Sequence, residues 1–327
     1  MRWIWVWLLV AQVGMADQPV VRVRDAGVLD QGTVRAERVR EMVRVGIMRL
    51  TGAKTERGAW QTLFGSNDVV GIKIATLSAP LQATRPAVVA AIRDGLVSAG
   101  VATTNVLVFD RDPHKLRAAG FSDALAIAPD GWDEEQFYES RLVGRLIWGD
   151  RLFGREEHGF DTRSHLPLVV TRRVTKLISV PVLQDHEACG VAGTLYNLSL
   201  GMVDNARRFE TSHQNGDPDI VAINEMSDLR QRVVLHVMDG LVGGYAGGPV
   251  FRPKFSWEAS WLAFSRDPVG LDAMALGELE RQRREAKIPA IGKRAAHIQT
   301  AAARGLGRMD APLIELTLEA GGTSQQP

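Results

Sequence analysis

Cysteine is nearly absent from the chain, with Cys189 the single one among 327 residues. That excludes an internal disulfide framework, a lipidated N-terminal cysteine and an iron–sulfur cluster held by four thiolates of this chain. An excess of either charge is also lacking, since 39 Lys and Arg stand against 38 Asp and Glu. Nucleic acid and anionic membrane are therefore not expected partners. No self-similar period runs along the chain, so a repeat array is excluded. Beyond residue 16 no apolar run approaches the roughly 20 residues of a membrane span. Arg2 is followed by Trp3, so the paired arginines of twin-arginine export are missing.

What is present is an ordinary globular mixture, 45% hydrophobic and 24% charged, able to build a packed core. At roughly 150 residues per domain the length allows one large domain or two intimately packed halves. Arg2, the apolar stretch Trp3 to Val13 and the small residues of Gly14-Met15-Ala16 read as a secretory signal, residues 1–16, cleaved before Asp17. An uncleaved anchor is the alternative. Its removal takes one of the 39 basic residues and no acid, leaving 38 against 38 and a neutral mature chain. Export places the chain in the periplasm or outside the cell.

Along residues 17–327, strand-like and helix-like segments alternate. Val20 to Val23 reads as a strand, and Val34 to Leu50 as a helix with Val39, Met42, Val43 and Ile47 at helical spacing. Asp68 to Ile74 is a strand, Pro86 opens a helix that Gly100 closes, and Asn105 to Asp110 is a strand buried on both faces. A loop-rich insertion is expected near 130–165. Strands follow at Lys176 to Val182, Val233 to Asp239 and Trp261 to Ser265, and helices at Gly190 to Leu200, Asp219 to Gln231 and from Asp267 to about Lys287. This alternation predicts an α/β fold with a largely parallel sheet flanked by helices, whose ligands sit beyond the carboxyl ends of strands.

Candidate chemistry falls at those ends. Lys73 interrupts an apolar strand, either at an edge or as a buried amine, and Asp110-Arg111 follows another strand. Thr84-Arg85 precedes a helix, where amides and a guanidinium could hold a carboxylate or phosphate or simply cap the helix. Asp185-His186 precedes Cys189-Gly190 and Tyr196-Asn197, with His213 later in a polar loop. His186 and His213 could move protons or bind a divalent metal, although their spacing matches no zinc motif and both could be structural. Cys189, three residues from His186, invites a nucleophile reading but fits better as a small buried hydrophobe. Asp239 opens a glycine-rich run to Pro249 that reads as a tight site loop. Asp267 and Asp272 read as a helix cap and a surface residue, and His297 as structural.

Six separated motifs then carry a resemblance. Val70 to Ile74, Thr84-Arg85-Pro86, Ile178 to His186, Gly193 to Gly201, Asp239-Gly240 and Asp267 to Asp272 resemble, in order, the family called domain of unknown function 362. That resemblance spans about Asp68 to Gly307 and implies a single domain without assigning a reaction. Some members are fused to ferredoxin-like modules, which this chain lacks. The chain is more remotely similar to nickel-dependent lactate racemases, in which a lysine carries a nickel-pincer nucleotide. Tyr196 stands where that lysine would be, Gln184 replaces a further family lysine, and Asp110-Arg111 replaces His-Arg. A pincer cofactor is therefore not expected here.

These readings converge on an exported enzyme performing acid–base chemistry, of isomerase, lyase or hydrolase type, on a small carboxylate or polyhydroxylated substrate, with or without a metal. Lys73, Asp110, Asp185, His186 and His213 are the candidate catalytic residues. Thr84, Arg85, Arg111, Tyr196, Asn197 and Asp239 are the candidates for binding the substrate. The alternative is an exported accessory protein that binds a metal or small ligand without turnover, the reading favoured by the loss of the lysines at Gln184 and Tyr196.

Overall fold

Apolar residues facing both ways along the strands build a sheet with two buried faces. The computed structural model describes residues 18–122, 127, 130–140, 162–210, 215–319 and 322–324. The expected signal, residues 1–16, and His213 lie outside the described residues. In chain order the strands are β1 (Val20–Arg24), β2 (Leu29–Asp30), β3 (Thr33–Val34), β4 (Val70–Ile74), β5 (Val106–Phe109), β6 (Trp132–Glu139) and β7 (Arg163–Pro167). They continue as β8 (Lys176–Val180), β9 (Val182–His186), β10 (Gly190–Val191), β11 (Val233–Gly244), β12 (Ser256–Ser265), β13 (Leu313–Glu319) and β14 (Gly322–Ser324). The main sheet runs β14-β13-β1-β12-β11-β8-β4-β5, and β9 continues alongside β11 with β10 paired to it. From β11 through β8 and β4 to β5 every pairing is parallel, while β12 lies antiparallel between β11 and β1.

Helices α1 (Ala36–Thr51), α2 (Glu56–Leu63) and α3 (Pro86–Ala99) pack on one face against Ile72, Ile74, Ile178, Val180, Leu235, Val237 and Phe264. The other face buries Leu177, Met238, Trp261 and Ala263 under the helices Thr194–Asn197, Pro268–Glu285 and Ala296–Ala303. Because side chains alternate along a strand, Lys73, Ser179 and His236 project to this second face, each flanked by residues that face the first. Pro86 opens α3 and Gly100 closes it at φ 107°. Asp267 caps the helix that follows, accepting from the amides of Val269 and Gly270.

Several expected boundaries shift. The glycine run from Asp239 is not a loop as far as Gly244, since those residues extend β11 along β12. Its glycines make room for indole rings: a Cβ on Gly240 would lie 2.4 Å from the Trp261 ring, and one on Gly243 2.3 Å from that of Trp257. The segment read as a loop-rich insertion is bounded by the antiparallel pair β6 and β7. Gly190 to Leu200 forms β10 and one helical turn, Thr194–Asn197, and Asp219 to Gln231 divides into the helices Asp219–Asn224 and Ser227–Arg230. Among the described residues no helix is long and apolar enough to cross a membrane.

Candidate functional site

A cleft opens beyond the carboxyl ends of β4 and β5. Lys73, Thr76, Gln82, Asp110, Arg111, Lys115, Gln184, Tyr196 and Asn197 are among its lining residues. Lys73 is fully buried, not at an edge. Its ammonium donates to Asp110 Oδ1 at 2.8 Å, to Asn197 Oδ1 at 2.9 Å and to the Ile74 carbonyl at 2.8 Å. Burial pulls its pKa below the ordinary lysine value, and the neighbouring Asp110 carboxylate opposes that shift. Asp110 in turn accepts at Oδ2 from the Thr76 amide at 2.8 Å and the Thr76 hydroxyl at 2.5 Å, and at Oδ1 from the Arg111 amide at 2.7 Å. The pair is thus buried, bonded on every side and open to the cleft.

The far side of Asn197 continues this network. Its amide nitrogen donates to Ser179 Oγ at 3.0 Å, Ser179 Oγ meets Thr194 Oγ1 at 3.0 Å, and Thr194 Oγ1 meets His236 Nδ1 at 2.8 Å. Strand register explains the alignment, because Lys73 pairs with Ser179 across β4 and β8, and Ser179 with His236 across β8 and β11. The helix Thr194–Asn197 is pinned over this row by Asp272, whose carboxylate accepts from the amides of Thr194 at 2.7 Å and Leu195 at 2.9 Å. Asp272 is not a surface residue: it is fully buried, and burial lifts its pKa to about 7. A Cβ on Gly193 would lie 2.2 Å from Asp272 Oδ1, so glycine is what lets this carboxylate reach the helix.

The remaining candidates divide by location. Lys73, Asp110, Arg111, Tyr196 and Asn197 share the cleft, and Arg111 also braces it by donating to the carbonyls of Leu200 and Val203 at 3.0 Å each. Thr84, Arg85 and Asp239 form a separate support at the base of the Thr76–Thr84 loop. Thr84 donates to the Val180 carbonyl at 2.6 Å, and the Arg85 guanidinium and amide both bond the buried Asp239 carboxylate at 2.9 Å. Asp185 accepts from the Gly248 amide at 3.0 Å and lies 3.6 Å from Arg283, while burial raises its pKa to about 6.

His186 is not among the residues lining the cleft. Its Nδ1 accepts from the amides of Ala188 and Cys189 at 3.2 Å each, which holds the turn into β10. Its ring packs on Tyr196 with centroids 4.9 Å apart, Nε2 has no partner among the described residues, and burial lowers its pKa to about 4. At neutral pH it is an uncharged imidazole. Cys189 is buried beside it. Among the described residues no group of three or more His, Cys, Asp or Glu could hold a metal ion. Tyr196 offers no amine for a pincer nucleotide, so these residues do not fit that group.

Ser179, Thr194, His236 and Asp272 are the site residues that sequence reasoning missed. For Ser179 and His236 the signal was faint but present, since both, like Lys73, are polar residues among apolar neighbours in their strands.

No curated protein matches the chain. A crystal structure of a protein from Thermotoga maritima is 11% identical with a TM-score of 0.40, over 80% of this chain and 61% of that one. The chain thus spans about three fifths of that protein's length. Residues 163–277 match the family described as "Domain of unknown function (DUF362)". This match takes in Asp185, His186, Tyr196, Asn197, Asp239 and Asp272, and over these residues the chain is similar to that family.

Proposed function

We propose that the chain is an exported enzyme that binds a small carboxylate or polyhydroxylated molecule in the Lys73 cleft and moves a proton on it. The observation that carries this reading is the buried Lys73–Asp110 pair, opening into a cleft where a parallel sheet gathers its ligands. The charged residues of the lining are Lys73, Arg111 and Lys115 against Asp110 and Asp112, a balance that favours an anion. Arg111 and Lys115 would orient a carboxylate, and Lys73 would neutralise negative charge developing beside it or supply the proton. An amine whose pKa is lowered by burial is suited to proton transfer closer to neutral pH. His186 then acts through Tyr196, holding its ring against the cleft wall, and is a positioning residue.

The bonding of Lys73 supports a second reading. All three ammonium hydrogens have acceptors, as in a binding pocket that turns nothing over. Incubation of a panel of small hydroxy acids with the full chain in D₂O separates the two, because proton abstraction next to a carboxylate washes deuterium into the substrate. Enzyme-dependent incorporation that is lost in Lys73→Met and partly kept in Lys73→Arg is the expected result. Ligand-induced stabilisation without incorporation would establish the binder instead, and neither effect would remove both readings.

A further inference from the structure

Strand order gives the Lys73 cleft unlike sides. β5 lies on one side of β4, and from its carboxyl end come Arg111 and, on the helix Pro113–Ala118, Lys115. β8 lies on the other side and runs through Pro181 into β9, which brings Val182 to the cleft, while Ala192 follows β10. Ala75 and Leu77 enter from the segment after β4, and Tyr196 from the helix Thr194–Asn197. Arg111 and Lys115 keep hydrogens for a ligand. Arg111 spends Nη1 on the Leu200 and Val203 carbonyls, and Lys115 makes no ion pair among the described residues.

The other polar groups of the lining have few hydrogens left to give. Lys73 spends its three on Asp110, Asn197 and the Ile74 carbonyl. The Thr76 hydroxyl donates to Asp110, and that of Ser78 to Gln184 Oε1 and the Pro249 carbonyl. Gln82 Nε2 donates to the carbonyls of Leu183 and Val242 at 3.1 Å each, and the Asn197 amide to the Lys73 carbonyl at 3.2 Å and Ser179 Oγ at 3.0 Å. Gln82 Oε1 has no partner among the described residues, but it is buried against Gly244, where a Cβ would lie 3.0 Å from it. Each hydroxyl of a polyhydroxylated molecule gives up water on entry and needs a partner in its place, whereas a hydrocarbon needs none. We propose that the ligand of the Lys73 cleft is a monocarboxylate with an apolar body, alkyl or aryl, its carboxylate on Arg111 and Lys115 and its carbons against Ala75, Leu77, Val182, Ala192 and Tyr196. This inference rests on the reading of the cleft made above and narrows it, setting the polyhydroxylated class aside.

Calorimetric titration of the full chain with butanoate, hexanoate and gluconate tests it. Hexanoate and gluconate match in carbon number and charge, so hydroxylation alone separates them. Hexanoate should bind about tenfold or more tighter than gluconate, and by a similar factor tighter than butanoate, because each buried methylene is worth about fourfold. Hexan-1-ol, which keeps the chain and lacks the charge, should bind about tenfold or more weaker than hexanoate. Leu77 is already 37% exposed, so Leu77→Asn should fold; it should narrow the hexanoate-to-butanoate ratio and leave butanoate within about twofold of wild type. Lys115→Ala should weaken both carboxylates by the same factor and keep their ratio. Gluconate binding as tightly as hexanoate, or an affinity that does not rise with chain length in the wild type, overturns the apolar body while leaving the cleft a carboxylate site. Hexan-1-ol binding as tightly as hexanoate overturns the seat of the carboxylate. Failure of all three carboxylates to bind overturns this inference together with the reading on which it rests.

Discussion

Replacing His297 with leucine should make this protein more stable, and increasingly so as the pH falls. His297 is fully buried in the helix Ala296–Ala303, and neither ring nitrogen has a partner among the described residues. Burial, aided by His186, holds its pKa at about 4 against 6.5 for an ordinary histidine. Between those values the unfolded chain binds a proton that the folded chain refuses. Stability from this residue is therefore complete above about pH 6.5 and is lost as the pH falls toward 4. A gap of that size corresponds to about 3 kcal/mol. His186 and His236, held at about 4 and about 3, act in the same direction. Asp272 and Asp185, raised to about 7 and about 6, act in the opposite one, because the folded state keeps protons there that the unfolded chain releases. Three imidazoles outweigh two carboxylates, leaving a net loss of a few kcal/mol on acidification. His297→Leu removes one proton from that balance and two unsatisfied nitrogens, so a gain of about 1–3 kcal/mol is expected at pH 7 and more at pH 5. Urea unfolding followed by tryptophan fluorescence at pH 7.5, 6 and 5 measures both. A variant less stable at neutral pH, with the wild-type dependence on pH, would refute the reasoning.

Two further substitutions test the supports of the fold. Arg85→Ala leaves the buried Asp239 carboxylate with only backbone amides and should cost about 3 kcal/mol in thermal unfolding; a loss under about 0.5 kcal/mol would show that the ion pair is not what holds this carboxylate. Gly46→Ala should destabilise by about 1–3 kcal/mol, although alanine favours helix by about 1 kcal/mol, because the new Cβ would lie 2.2 Å from the buried Phe264 ring; a stabilised variant would mean that α1 can move away from β12.

Much of the Lys73 cleft was legible because its residues sit where periodicity changes. Lys73 breaks an apolar strand, Asp110 and Arg111 follow the last apolar residue of β5, and Asn197 ends a short helix. Each is marked by its local pattern. Asp272 was not legible, since an aspartate five residues after the capping Asp267 looks like an exposed helix residue, and only the packing of distant segments buries it against Thr194 and Leu195. The glycines from Gly240 to Gly244 misled in a similar way. Local propensity reads them as a turn, whereas the indoles of Trp257 and Trp261 across β12 make a glycine strand the arrangement that packs. His186 was legible as unusual, but its burial and bonds to Ala188 and Cys189 direct it to a turn and away from the cleft lining.

The alignment of Lys73, Ser179 and His236 runs across three strands and not along one. Inserting or deleting a single residue within β8 would carry Ser179 to the opposite face and place Ile178 or Val180 between the other two, breaking the polar row behind the Lys73 cleft while leaving the strand as apolar and as β-branched as before. Lineages of this chain should therefore accept many exchanges of side chain in β8 and gain or lose residues in the loops around it, but the number of residues between Lys176 and Val180 should be held fixed.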